Sequence, residues 1–173
     1  MSNDPTAEIG EIIAAGRERV SVARDEVNRP MIHHLCEVMG EENPIHLDPE
    51  VARAAGHQDA VAPPSALAVW NMINPADQEI ESDVDRAYAI LADCGYPKVV
   101  AVNCDQEYDR YLSPGDVLTS TEKVETFVGP KQTGLGEGYF ITTLTTFTDQ
   151  QGERVGTMRF RTLWYNPSKR SSS

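Results

Sequence analysis

A chain of 173 residues suits one hydrophobic core, since single domains span about 100 to 200 residues before a chain divides. Its 40% apolar and 24% charged residues argue against a disordered or fibrous polymer. Twenty-seven acids against 15 bases leave a net charge of -12 and a pI near 4.7, which sets the surface against nucleic acid and anionic membranes but still permits a small anionic ligand held by a few local bases.

Asp4-Pro5 reads as a helix start, and Ile9, Ile12 and Ile13 share one face before Gly16 stops the turn. Arg19 to Val22 is β-prone. A second helix is expected from Asn28 to Met39, with Met31, Ile32, Leu35, Cys36 and Met39 on its apolar stripe and His33 and His34 turned to solvent. Gly40 ends it, a proline turn covers Glu41 to His46, and a short helix starts at Asp48-Pro49 and stops at Gly56. After Pro63-Pro64, residues Ser65 to Ile73 are apolar nearly all round, which predicts a central helix enclosed by other elements.

The polar stretch Asn74 to Glu81 and a helix carrying Val84, Ala87, Tyr88 and Leu91 read as an insertion over one edge of the core. From Pro97 onward the period alternates, and four strands fit near Lys98 to Tyr111, Asp116 to Val128, Gly138 to Thr148 and Arg154 to Tyr165. The threonines between 142 and 148 add strand propensity without adding core. Gly129 to Gly138 reads as a glycine-rich hairpin loop, and Arg154 to Tyr165 or a neighbour as an exposed edge strand that invites pairing with another chain. The expected organisation is one α+β domain over residues 1–167, its central helix packed into a curved antiparallel sheet, followed by a disordered tail over 168–173.

Met1-Ser2-Asn3-Asp4 has neither the basic nor the apolar part of a secretory leader, and no apolar run reaches the roughly 18 residues that cross a bilayer. Three cysteines without pairing logic suit a reducing compartment, and a cytoplasmic location is expected. Cys36, Cys94 and Cys104 read as buried and inert, and His57 as a surface residue. No metal site is indicated.

Three places could carry chemistry. Glu41-x-Asn43-Pro44-x-His46 puts a carboxylate five residues ahead of an imidazole across a proline turn. Two such groups around one water can remove its proton and deliver another, as hydration of a double bond requires; equally, Asn43 can cap the turn while His46 packs beneath the next helix. The start of the central helix at Ser65 and Ala66 offers the first backbone N–H groups after two prolines, suited to a carbonyl oxygen gaining charge. Lys131, in the glycine-rich run, could touch a ligand phosphate, although the run lacks the order of a phosphate-binding loop.

These residues resemble the MaoC-like hydratase and dehydratase family, through Gly40-Glu41-Glu42-Asn43-Pro44-Ile45-His46-Leu47-Asp48-Pro49, Val61-Ala62-Pro63-Pro64 and Tyr108-x-Arg110-Tyr111-Leu112-x-x-Gly115-Asp116. The proline entry looks like the branch of N-terminal MaoC-type, or fatty-acid-synthase-type, dehydratase domains. Asn103 to Tyr108 and Gly129 to Phe140 look like the larger MaoC subunit of actinobacterial steroid side-chain enoyl-CoA hydratases. The resemblance implies a hot-dog fold and an enoyl-CoA hydratase subunit acting on a 2-enoyl-CoA thioester, coenzyme A being part of the substrate and no cofactor needed. His46 and Glu41 would be catalytic, and Asn43, Ser65, Ala66, Trp70 and Lys131 would meet the substrate. Asn43, Pro44 and His46 match the family signature D-x-N-P-x-H, while Glu41 stands where the family has aspartate. The expected assembly is a homodimer, or a heterotetramer with a second MaoC-like subunit. The rival reading is a non-catalytic partner that shapes the acyl-CoA pocket, with Trp70 and the segment from Asp77 to Leu91 setting substrate choice.

Overall fold

The computed structural model describes residues 4–72 and 82–169. Helix α1 (Thr6–Ala15) is entered through Asp4, whose carboxylate accepts the Thr6 N–H at 2.9 Å, and it ends on Gly16 in the left-handed region. Strand β1 (Arg19–Val22) follows, then α2 (Arg29–Met39), which Asn28 caps by accepting the Met31 N–H at 3.0 Å. Asp48 caps α3 (Pro49–Ala54) in the same way, and α4 (Asp83–Asp93) opens on a reciprocal capping box between Ser82 and Asp85. The polar residues ahead of each apolar run thus set the helix starts.

Strands β2 (Lys98–Tyr108), β3 (Thr119–Thr133), β4 (Gly136–Thr148) and β5 (Arg154–Asn166) join β1 in one antiparallel sheet of order β1-β3-β4-β5-β2. β4 lies in the middle and buries alternate residues Tyr139, Ile141, Thr143, Thr145 and Phe147. Two apolar clusters form on this face. One gathers Val27, Ile32, Cys36, Leu67, Trp70, Leu112 and Phe147; the other gathers Ile9 and Ile12 of α1, Val84, Ala87 and Leu91 of α4, and Tyr139 and Ile141 of β4. Thr143 and Thr145, 1% and 5% exposed, sit between the two. The expectation that these threonines stay out of the core is corrected, because strand alternation sends every second residue of a central strand inward whatever its chemistry.

Several other expectations change. The apolar segment after Pro63 keeps its central position, but Pro64–Ala66 is a 3₁₀ turn and the chain continues in turns to Asn71 rather than as an α-helix. Its bonds are i to i-3: Ala66 N–H to the Pro63 carbonyl at 2.9 Å, Leu67 to Pro64 at 3.1 Å and Val69 to Ala66 at 2.9 Å. Two prolines start the tight turn, and burial of Ala66, Leu67 and Trp70 sets the winding. Residues 73–81, which include the whole polar stretch Asn74 to Glu81 of the expected insertion, lie outside the described residues, while its helix is α4.

The glycine-rich run is mostly strand: β3 continues to Thr133, and only Gly134-Leu135 forms the turn. A side chain at Gly138 would run into the Trp164 carbonyl and the side chains of Leu163 and Tyr165. Pro167–Lys169 is a further 3₁₀ turn, held where the Lys169 ammonium donates to the Tyr96 hydroxyl at 3.0 Å. Ser168 and Lys169 of the expected tail are thus part of this turn, and residues 170–173 lie outside the described residues. β5 lies inside the sheet between β4 and its neighbour β2; β2 is one edge strand and the four-residue β1 the other. Val99 and Val100 project to opposite faces of β2 yet are 52% and 38% exposed, so this strand is bare on both faces.

Candidate functional site

The turn after α2 is built by short-range bonds. A Glu41 carboxylate oxygen accepts the Asn43 N–H at 2.9 Å, the Asn43 side chain accepts the Ile45 N–H at 3.3 Å, and Pro44–His46 then closes as a 3₁₀ turn. Asn43 therefore caps the turn, as the second of its two sequence readings has it, and is itself exposed. His46 is 3% exposed. Its Nδ1 lies 2.7 Å from the Val61 carbonyl oxygen. A carbonyl can only accept, so Nδ1 carries the proton and, in the neutral ring, the lone pair sits on Nε2, the state a proton acceptor needs. The ring also packs against the edge of Tyr111, 6.0 Å between centroids, and Tyr111 packs in turn against His57 at 5.3 Å.

Glu41 is half-buried at the start of the same turn, and no hydrogen bond or ion pair joins it to His46. Of the two backbone donors expected after the prolines, Ala66 is corrected: its N–H is consumed by the Pro63 carbonyl, as a 3₁₀ turn requires. Ser65 is exposed, and no bond within the described residues engages its N–H. Trp70 is 6% exposed in the first apolar cluster, with its indole N–H buried and unpaired.

Lys131 is not brought to this site. His46 adjoins the Tyr111 to Asp116 loop that feeds the start of β3, whereas Lys131 lies a dozen residues along that strand, paired with Gly138. At ~3.3 Å per residue the separation along β3 is roughly 40 Å. The sequence pattern placed Lys131 in a loop, and the extension of β3 carries it to the far end of the sheet.

An open cavity of about 670 Å³ is lined by His57, Arg110, Tyr111, Ser113 and Gln150 among others; His46 is not part of its wall and meets it only through the Tyr111 ring. His57, read as a surface residue, is half-buried on this wall, and the neighbouring Asp59 pairs with Arg29 instead. Val61, Tyr111 and Arg110 were given no role in the sequence reading. All three belong to motifs that carry the family resemblance, which is the one available signal; that Val61 acts through its backbone carbonyl is not visible in its side chain.

The thiols are chemically quiet. Desolvation first, and nearby carboxylates second, push Cys36, Cys94 and Cys104 above the usual thiol range, so they stay protonated at neutral pH. Cys104 is exposed on β2, against the expectation of burial. No cluster of three or more metal-ligating side chains occurs among the described residues.

Residues 14–158 match the FAS1-like dehydratase domain region. The chain belongs to this family, and its architecture is the MaoC-like hot-dog fold. It is 44% identical over 152 residues to the "Probable enoyl-CoA hydratase alpha subunit" of Thermomonospora curvata, covering 84% of this chain and 47% of that protein. It is 41% identical over 167 residues to the 3-oxo-4,17-pregnadiene-20-carboxyl-CoA hydratase alpha subunit of Mycobacterium tuberculosis, covering 95% of this chain and 53% of that protein. The chain thus spans about half the length of these curated relatives. Among solved structures it is similar to a chain of the ChsH1–ChsH2 complex of Mycobacterium tuberculosis, with a TM-score of 0.89, 38% identity, and coverage of 96% of this chain and 99% of that one.

Proposed function

We propose that this protein is a subunit of an enoyl-CoA hydratase, with His46 as the base that activates water. The observation that carries this reading is the buried imidazole whose Nδ1 proton is committed to Val61, which leaves Nε2 to accept a proton. In the proposed step Nε2 takes one proton from water while the hydroxyl bonds to C3 of a trans-2-enoyl thioester. The C2=C3 electrons move onto the thioester oxygen, where the Ser65 N–H stabilises the enolate. The imidazolium then returns that same proton to C2, directly or relayed through the Glu41 carboxylate, so that one water has been added across the bond and the neutral imidazole is restored. In this reading Glu41 and His46 share that water, although no bond joins their two side chains. The names of the two hydratase relatives support a coenzyme A thioester as substrate, and one of them favours a steroid side-chain acyl group.

The experiment is loss of enoyl absorbance with several acyl-CoA thioesters, using the chain alone and together with a second MaoC-like subunit. His46→Ala should lower the rate by about 10²-fold or more, the range that general acid–base catalysis contributes. An unchanged rate in the complex would move the chemistry to the partner and favour the reading in which this chain shapes the acyl pocket. That second reading draws on glutamate standing in the aspartate position and on the bare β2 edge, onto which a further hot-dog subunit would dock. The complex among the similar structures supports a heteromer.

A further inference from the structure

Arg110 takes no part in the chemistry above, yet a continuous run of short contacts ties it to His46. Its Nη1 and Nη2 donate to the two oxygens of Asp116 at 2.7 and 3.1 Å, and Nη2 also donates to Asp149 at 2.9 Å across the β4–β5 hairpin. Asp149, its side chain 4% exposed, accepts the N–H groups of Gln151 and Glu153 on its other oxygen, both at 3.0 Å. Asp116 takes the Ser113 N–H at 2.8 Å. Both Nη groups are engaged by two carboxylates and a carbonyl, which leaves only Nε–H for a ligand in the cavity that Arg110 lines. A cluster paired this completely holds its loops in one arrangement, because breaking any member strands a charge.

The loop it holds carries the residues that set the imidazole. Nη1 of Arg110 donates to the Tyr111 carbonyl at 2.9 Å, and the Tyr111 ring packs on His46. The next carbonyl, of Leu112, accepts the Ala62 N–H at 2.8 Å, and the residue beside Ala62 is Val61, whose carbonyl fixes His46 Nδ1. Arg110 and Asp149 come from segments 39 positions apart, so the clamp locks the hairpin to the loop that faces the ring.

We propose that Arg110, with Asp116 and Asp149, is a positioning residue that holds the Tyr111–Leu112 loop and through it the tautomer and aim of His46. Its catalytic consequence rests on the reading of His46 as the base; its structural content does not. The test uses the full chain with 15N-labelled histidine, comparing the wild type with Arg110→Lys, which keeps the charge and loses the planar fork, and with Asp149→Asn. His46→Ala assigns the signal, and circular dichroism checks the fold. In folded variants the ring signals of His46 should shift and its Nδ1–H should exchange faster, while the signals of the exposed His33 and His34 stay in place. In the hydration assay kcat should fall about 10- to 100-fold with KM nearly constant, the cost expected of a displacement near 1 Å. Should Arg110→Lys fail to fold, the same signals are read in Asp149→Asn. Unmoved His46 signals in a folded variant overturn the proposal whatever the rates. If instead the signals move while His46→Ala leaves hydration intact, the positioning stands and the reading of His46 as the base fails.

Discussion

At the level of single residues, the molecule assigns its polar groups to backbone as often as to side chains. His46 is held by a carbonyl, Glu41 and Asn43 by neighbouring N–H groups, and Asp149 by two N–H groups and Arg110. The Arg110 bond, reinforced by the N–H groups of Glu153 and Gln151, holds the Asp149 carboxyl below the ordinary range. A depressed carboxylate contributes stability above the unfolded value of about 3.9 and loses it as pH falls through the lowered native value. Asp149→Asn should therefore lower stability at neutral pH and flatten its decline below about pH 4; urea midpoints from pH 7 to pH 2.5 check this, and parallel curves would refute it. Gly138 is constrained in a different way. Alanine there meets the Trp164 carbonyl and the side chains of two other β5 residues, so Gly138→Ala should cost about 2 kcal/mol or more by urea unfolding, as overpacking at a fixed backbone contact does.

The secondary-structure elements differ in how far their sequence determined them. Helix caps are local, and Asn28, Asp48 and Ser82 were each followed by the helix that their chemistry calls for. Ser82→Ala should cost about 1 kcal/mol in chemical denaturation. Strands were readable to within a few residues because β-branched alternation is also local. Winding was not: the run from Ser65 to Asn71 has the composition of a buried helix, but its i to i-3 bonds follow from two prolines and from how Leu67 and Trp70 pack, and packing is invisible in one segment. The candidate site divides along the same line. His46 was recognisable in its proline turn, whereas Val61 reaches it from 15 residues away, Asp149 reaches Arg110 from 39, and only the fold brings them together. β2 poses the remaining element-level question, since valines on both of its faces are exposed. Val102→Asp on this edge should leave the monomer folded and shift the assembly toward it in size-exclusion chromatography; an unchanged assembly would place the interface elsewhere.

Taken whole, the molecule rests on two apolar clusters of different chemistry, and the second, beneath α1 and α4, contains buried phenols. Desolvation pushes Tyr88, Tyr96 and Tyr139 up to about 12, with Glu122, Glu137 and the mutual contact of Tyr96 and Tyr139 adding to it. A phenol in unfolded chain titrates near 10, so from about pH 10 the unfolded state releases protons that the native state retains. Stability should then fall as pH rises, up to the native value near 12. The slope reaches at most ~1.4 kcal/mol per pH unit for each independent group. Tyr96 and Tyr139 meet edge-on at 4.9 Å and titrate as a pair, so the total lies below three independent groups. The chain already carries a net charge of -12, and each phenolate adds to its self-repulsion. Tyr96→Phe separates the contributions. It removes the bonds to Glu137 and Lys169, which should lower stability at neutral pH by about 1 kcal/mol, and it should also make the alkaline decline shallower. Urea midpoints between pH 8 and pH 11.5, read beside tyrosinate absorbance, decide the matter: all three phenols ionising near 10 while the chain is still folded would mean that water reaches the second cluster.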